Sequence, residues 1–356
     1  MEYVPVLKGK QAEISAALTA PMSLDLTPLF EIQQAPKAAV DKATGVAKKQ
    51  KSAPTDAAYF LDEVARLWSG PLYVDVSRVA TAPVERTLWW RLLALLNNMA
   101  AVPVDLVPVV SLHDDTTSRT EAGTLAIVGR AALRLPMALV RTNPTVLNGL
   151  VASVASDMGL QSDKVDVIFD WSNELEASTL DSLEADTLAA IGAVGGTHGK
   201  LVVVGTPNDA AFTQVGDWAP VRREWWLWLR LAHAGVDVVY GDYALYSPSD
   251  PVPARALYGH LRYSSDDKMH VHRRAMPKSG GGLGAAFEEC CAHVLGETHW
   301  LGASFSKADQ RIADIAVQAD KAAQAGVWRQ IAVEHHFALV DSLLKSPPAA
   351  PAAGTP

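Results

Sequence analysis

Eight short apolar runs recur along the chain, and helical stretches lie between most of them. The runs are YVPVLK (3–8), TPLFEI (27–32), LYVDVS (72–77), LVPVVSL (106–112), ALRLPM (132–137), VDVIFDW (165–171), LVVVGT (201–206) and VDVVYGDY (236–243). They do not alternate apolar with polar, as a half-solvated strand does. Continuous runs of this kind are parallel strands covered on both faces. Helical periodicity appears in AAYFLDEVARLW before the third run and in PVERTLWWRLLALLNNM after it. It returns in PTVLNGLVASVASDMG, TLDSLEADTLAAIGAVG and PVRREWWLWLRLAHAG, which link the fifth to eighth runs. The last closes on Gly235, a helix stop, and two of these helices are expected to begin at Pro, whose missing N–H costs nothing there. Eight strands with helical crossovers predict an α/β fold, a (β/α)8 TIM-barrel-like domain over 1–255. A doubly wound open sheet is the alternative that periodicity leaves standing.

The remaining segments are additions to that unit. Residues 33–56 are rich in Ala and Lys without an apolar period, and are expected as a flexible insertion. The stretch 256–277 alternates around a polar turn and predicts a hairpin. With helices over 307–325 and 328–345 it forms a second segment, 256–345, packed on the barrel. The Pro/Ala-rich end, 346–356, is expected as a disordered tail.

Charge and cysteine usage exclude several classes. The formal net charge is -8, so a general nucleic-acid binder is not expected, and any phosphate contact needs a local basic site. The two cysteines, Cys290 and Cys291, are adjacent, which rules out a disulfide scaffold. The start of the chain has no basic segment followed by an apolar run, and no apolar stretch approaches the roughly 20 residues that span a bilayer. A cytoplasmic protein without membrane association is expected.

Polar residues cluster where the predicted strands end. Lys8, Glu31, Asp75, His113 with Asp114, Arg134, Asp170, Thr206 and Asp242 would share the C-terminal rim, where barrels carry their chemistry. Glu31, Asp75, Asp170 and Asp242 are candidate acids, bases or divalent-metal ligands. Helix capping and rim ion pairs are the competing explanation for each. Lys8 is a candidate phosphate or Schiff-base lysine set against a solvated one. Arg134 lies inside an apolar strand and needs an anion, from a ligand or from a protein carboxylate.

Other features are weaker. HVH (270–272) places two imidazoles on one strand face and EHH (334–336) adds two more, without closed zinc-ligand spacing. SGGGLG before a helix lacks the Lys-Ser/Thr of a phosphate loop. The tryptophans of REWWLWLR have helical spacing, which favours core packing over base stacking.

The blocks YVPVLKGKQAE, LTPLFEI, RREWWLW, YGDYAL, LRYS, GASFSKADQRI and WRQIAVEHHFALV occur in the order found in the beta protein family, named after a protein of T-even phages. The chain resembles that family, of bacterial and phage occurrence and no established activity, over nearly its whole length. The resemblance implies motif residues at Lys8 or Lys10, Glu31, Asp75, Arg134, Asp170, Arg222, Glu224, Trp225, Gly241, Asp242, Tyr243, Arg262, Tyr263, His335 and His336. The family's FSWGD stands here as FSKAD, without the Trp and Gly before Asp309, and its TNHH as VEHH.

Two functional expectations follow. In the first, the rim is a ligand pocket and the protein is a hydrolase of a phosphate-containing small molecule or nucleotide. Glu31, Asp75, Asp170 and Asp242 supply acid, base or metal ligands; Lys8, Lys10, Arg134, Glu224, Tyr243, Arg262, Tyr263, His335 and His336 line or hold an anionic ligand. In the second, the chain is a non-catalytic component of phage defence that partners a protein such as a nuclease. Asp242 and Lys8 are expected to face one rim and to pair or share a ligand, because the eighth strand closes on the first.

Overall fold

The structure, a computed structural model, describes residues 1–33, 61, 64, 68, 70–100, 102–207, 214–248, 258–278, 280–321 and 324–355. The expected insertion after residue 33 and most of the helix before the third strand lie outside them.

Eight parallel strands close into a barrel: β1 (Glu2–Leu7), β2 (Leu29–Glu31), β3 (Leu72–Asp75), β4 (Leu106–Ser111), β5 (Ala131–Pro136), β6 (Val165–Asp170), β7 (Leu201–Gly205) and β8 (Val239–Asp242). Each pairs with the next in sequence, and β8 returns to β1 through Tyr3–Tyr240, Val4–Gly241 and Pro5–Asp242. A two-residue strand, Asp25–Leu26, pairs with the start of β1. The chain is an α/β barrel of the (β/α)8 type, and the open sheet is excluded by that closure.

Strand alternation divides each apolar run between two cores. Val4, Val6, Leu29, Tyr73, Val107, Val109, Ala132, Ile168, Val202 and Val204 pack together inside the barrel. Tyr3, Phe30, Val74, Val110, Leu133, Val167, Val203 and Tyr240 point outward into a larger core under the helices. At the N-terminal end the lumen is closed by Asp166, which accepts from Tyr73 Oη (2.8 Å), Arg130 Nη2 (2.6 Å) and the Lys200 N–H (2.7 Å). The C-terminal end therefore holds the open mouth.

The covering helices are α1 (Gln11–Leu18), α2 (Pro83–Met99), α3 (Thr116–Leu125), α4 (Leu150–Met158), α5 (Leu180–Val194) and α6 (Arg223–His233). Pro83 opens α2 as its spacing predicts. The parallel expectation for α6 is corrected: α6 begins at Arg223, because Val221 bridges to Lys268 and the Arg222 N–H donates to Asp267 O. Strand β8 likewise starts at Val239 rather than 236. Gly235 (φ 79°) turns the chain first, and the Val236 N–H is spent on Leu231 O.

Beyond the barrel, β9 (Tyr258–Ser264) and β10 (Met269–Ala275) form the expected antiparallel hairpin, and a strand at Gly216–Trp218 adds a third member. Helices α7 (Gly282–Leu295) and α8 (Lys307–Ala316) and the first part of α9 (Ala325–Lys345) bury a separate core against it, containing Tyr263, Phe287, Cys290, Cys291, Ile312 and Trp328. The rest of α9 sends Val333, Phe337 and Val340 into the outer core of the barrel. Helix α8 is shorter than expected, ending before a left-handed Gln318 (φ 62°). The Pro/Ala-rich end rests on the molecule: Ala350 packs on the outer core, and the Gly354 N–H donates to Asp181 at 3.1 Å. No helix among the described residues is long and apolar enough to cross a membrane.

Candidate functional site

Three strand ends turn in the same way. One oxygen of Asp75 accepts the Ser77 N–H (2.7 Å), one of Asp170 the Ser172 N–H (2.8 Å), and one of Asp242 the Ala244 N–H (2.8 Å). An Asp side chain that bonds the backbone two residues on holds a turn and tolerates left-handed neighbours. Ser172 (φ 49°), Ala244 (φ 44°) and Leu245 (φ 71°) occupy that region, a conformation non-glycine residues adopt at a cost. The local job of these acids is to turn the chain; their second oxygens decide what else they do.

In two of the three, the second oxygen points into the barrel mouth at Arg134. Arg134 Nη1 donates to Asp75 (2.7 Å) and Glu31 (2.9 Å), Nε to Asp170 (2.9 Å) and Nη2 to the Tyr243 hydroxyl (2.7 Å). The Tyr243 hydroxyl in turn donates to Asp170 at 2.8 Å. Every nitrogen of the guanidinium is engaged, and all three carboxylates are buried. The protein supplies the anion that a buried Arg requires. Burial opposes the charge on Arg134, yet Tyr243, Asp170, Glu31 and Asp75 raise its pKa well above the ordinary value.

These groups line a cavity of about 250 Å³, together with Ser77, Arg78, Arg86, Trp90, Ser111, His113, Asp114 and Ser172. Glu31 is its most perturbed acid: burial lifts the carboxyl above the usual range, against the pull of Arg134 and Arg78. Its Oε2 has no hydrogen-bond partner among the described residues, and Arg78 Nε stands 3.5 Å away. Burial, opposed by Arg134, also keeps the Tyr243 phenol protonated. On one side of the mouth Arg86 is held by Asp114 (3.2 Å) and Ser111 (2.9 Å). On the other, Arg78 Nη2 donates to the Pro248 carbonyl, which Lys8 Nζ also reaches (3.4 Å); Lys8 is buried and, against expectation, does not line the cavity. The mouth thus has an acidic floor and a cationic margin. The three carboxylates converge on Arg134 and not on one open point, and they form no metal-ligand trio. The fit to a divalent ion is poor.

Asp242 belongs elsewhere, which corrects its expected place at the rim. Gly241 and Tyr243 take the inward positions of β8, so Asp242 points outward with Tyr240. It accepts from Tyr3 Oη (2.5 Å), Tyr240 Oη (2.7 Å) and His336 Nε2 of α9 (2.7 Å). It neither pairs with Lys8 nor lines the cavity. Burial would raise its pKa, but His336, Arg222 and Tyr3 hold it well below the carboxylate range. Burial lowers His336 as well, against Asp242. The arrangement is an ionised Asp242 receiving several neutral donors, with the Ser264 hydroxyl donating to His336 Nδ1 at 3.0 Å. Ser264, His336 and Asp242 have the connectivity of a nucleophilic triad. All three are buried, Ser264 completely, so no substrate reaches the hydroxyl.

The same outer network takes four more of the expected site residues. Glu224 pairs with Arg222 (3.3 Å), and burial pushes its carboxyl up to about 8. His335 stacks on Tyr263 (3.8 Å) and meets Ser264 O (2.9 Å) and Asp309 (3.0 Å); Tyr263 Oη also donates to Asp309 (2.9 Å). Arg262 lies over Tyr246 and donates to Leu245 O; burial lowers its pKa to about 10. Lys10 sits at the start of α1. None of these lines the cavity. Asp309 keeps its partners although Trp and Gly of the family motif are replaced before it. The residues that sequence reasoning missed are Ser77, Arg78, Arg86, Trp90, Ser111 and Ser172. Ser77, Arg78 and Ser172 follow a strand end by two or three positions, which is the signal that points to them.

The chain belongs to the Beta protein family, whose model matches residues 3–341. No curated protein and no solved structure matches it.

Proposed function

We propose that this member of the Beta protein family is a hydrolase whose active site is the barrel mouth, acting on a small phosphate-containing molecule. The observation that carries this is the convergence of Glu31, Asp75, Arg134, Asp170 and Tyr243 on one cavity that contains a carboxyl of raised pKa. Paired acids in different environments divide the labour of acid and base. Glu31, held toward its protonated form, gives a proton to the leaving oxygen. Asp170, oriented by Arg134, Tyr243 and Ser172, takes one from the attacking water. Arg134 is a positioning residue, since its donors are spent on protein oxygens. An anionic group of the substrate binds at the margin near Lys8 and Arg78. At about 250 Å³ the cavity is of the scale of a small-molecule site.

The test is turnover by the purified chain of phosphomonoesters, phosphodiesters and nucleotides, followed by product release. Glu31→Gln and Asp170→Asn are expected to reduce kcat by 100-fold or more, roughly the scale of general acid–base catalysis, with folding retained. Unchanged turnover in both variants defeats the proposal.

A second reading, as an interaction component of phage defence, is favoured by the outer face of α2. Val84, Leu88, Leu95 and Met99 are 57–74% exposed there, at the spacing of one helical stripe. Protection of bacteria against phage that is lost in Leu88→Glu/Leu95→Glu, but kept in Glu31→Gln, supports it; the reverse pattern removes it.

A further inference from the structure

On the far side of the hairpin sheet lies a second cluster of titratable groups. Asp217 is in the short strand 216–218, His272 is in β10, and His293 is near the end of α7. One ligand atom from each lies within 4.8 Å of the others. The individual contacts are closer: Asp217 Oδ1 is 2.8 Å from His272 Nδ1 and 3.8 Å from His293 Nε2, and His293 Nε2 is 3.1 Å from Glu297 Oε1. Bonds of about 2.0–2.1 Å in a tetrahedron place ligand atoms roughly 3.3 Å apart, as the geometry of zinc sites requires. The Asp217–His272 and Asp217–His293 separations bracket that value.

The surroundings of the set are also defined. His272 is buried and its Nε2 has no hydrogen-bond partner among the described residues; the same holds for Nε2 of the neighbouring His299. These two nitrogens lie beside the set and are distinct from His272 Nδ1, which faces Asp217. His270, His272 and His299 are parallel rings, with His270 and His299 centroids 3.5 Å apart. Arg274 binds both oxygens of Asp217 (2.8 and 3.2 Å) and stands 3.7 Å from Glu289. Arg274 opposes a cation but fixes the orientation of the ligand carboxylate.

We propose that Asp217, His272 and His293 form a binding site for a divalent transition metal of the zinc type, with solvent as the fourth ligand, which ties the hairpin sheet to α7. The metal replaces the proton shared by His272 Nδ1 and Asp217 Oδ1, and that proton is released to solvent. The site is separate from the barrel mouth: none of its ligands lines that cavity. Asp217 and His293 keep 46% and 34% of their side-chain surface exposed, which gives the ion its way in.

The experiment uses the full chain after chelator treatment, with ZnCl2 as probe. Equilibrium dialysis with elemental analysis is expected to find one zinc per chain at low micromolar free metal. Titration with CoCl2 is expected to produce the visible absorption of tetrahedral cobalt, and MgCl2 to leave the melting temperature unchanged. His293→Ala and Asp217→Asn, both at partly exposed positions, should each weaken zinc binding by at least 10-fold without changing the melting temperature of the metal-free protein. No zinc uptake below 100-fold molar excess overturns the proposal. So does uptake that His293→Ala and Asp217→Asn leave unchanged.

Discussion

Replacing Arg134 with Met is the most informative single perturbation of the mouth. The change keeps an extended apolar side chain in β5 and removes the one group among the described residues that contacts Glu31, Asp75 and Asp170 together. Taking one partner from a buried ionic cluster costs about 3–5 kcal/mol, because the remaining charges stay desolvated. Unfolding entropy of about 2.1 cal/mol/K per residue gives roughly 0.75 kcal/mol/K for a chain of this size, so the melting temperature should fall by about 4–7 °C. The loss must also depend on pH, with a fixed sign. The folded pKa of Glu31 is already above its reference of 4.5 because burial outweighs the pull of Arg134. Without that pull it rises further. A carboxyl whose folded pKa is raised favours the folded state below its unfolded pKa and loses that favour as pH increases through the folded value. The variant should therefore approach wild-type stability near pH 4.5 and fall away from it toward pH 8. Adding Glu31→Gln to Arg134→Met should recover part of the loss at pH 8, since one buried negative charge disappears. Chemical denaturation at pH 5, 6.5 and 8 measures all of this. A deficit that is the same at each pH, or no deficit at all, would mean that Arg134 does not hold these carboxylates, and the proposed site would lose its frame.

Other substitutions separate the mouth from the outer network. Glu31→Gln removes the pH-dependent cost of a raised carboxyl, so its stability relative to wild type should improve from pH 5 to pH 8 while turnover is lost; denaturation and kinetics on one preparation check both. Glu224 has its carboxyl at about 8, above its reference of 4.5, and should cost wild type about 1.4 kcal/mol per pH unit across that window. Glu224→Gln should be free of that slope in denaturation between pH 5 and 8. Asp242 behaves in the opposite sense: its pKa lies below 3.8, so its contribution is present above that pH and lost as pH falls through the folded value. Asp242→Asn should lower stability at pH 7 by about 3–5 kcal/mol, with kcat per folded molecule unchanged; a lost kcat would return Asp242 to the active site.

Much of the barrel is visible in the sequence, because continuous apolar runs with helices between them leave few ways to bury both faces. What the runs do not carry is which residue of each strand looks inward. Where one polar residue stands among apolar neighbours, as Arg134 in AALRLP, the lumen or the rim is its only outlet. In VDVIFDW the two acids are four apart and so share a face: Asp166 closes one end of the lumen and Asp170 lines the other. The outer network could not be read in this way. Glu224, His335, His336 and Tyr263 come from elements far apart in sequence and meet only because α9 packs against both the barrel and the hairpin. A family motif marks all of them alike, whether they line a cavity or brace a wall.

The sharpest ambiguity is Gly-Asp-Tyr at the end of β8, where polar residues occupy both faces. Gly241 resolves it, for a reason other than turning freedom. A Cβ on Gly241 would lie 2.7 Å from Val4 O and 2.8 Å from a methyl of Val204. The inward face of β8 at that level is therefore filled by its neighbours, and only a residue without a side chain fits. Asp242, one position on, must face outward, where Tyr3, Tyr240 and His336 wait for it; Tyr243, two positions on, must face inward to Arg134 and Asp170. One crowded glycine sets the parity of the strand. It thereby assigns the acid to the bond between barrel and α9, and the phenol to the mouth. Gly241→Ala should accordingly disturb both at once, lowering stability by about 1–3 kcal/mol, the usual cost of overpacking, and reducing turnover through Tyr243. A variant that folds with wild-type stability would show that β8 can shift without consequence, and the separation of wall from mouth would then need another cause.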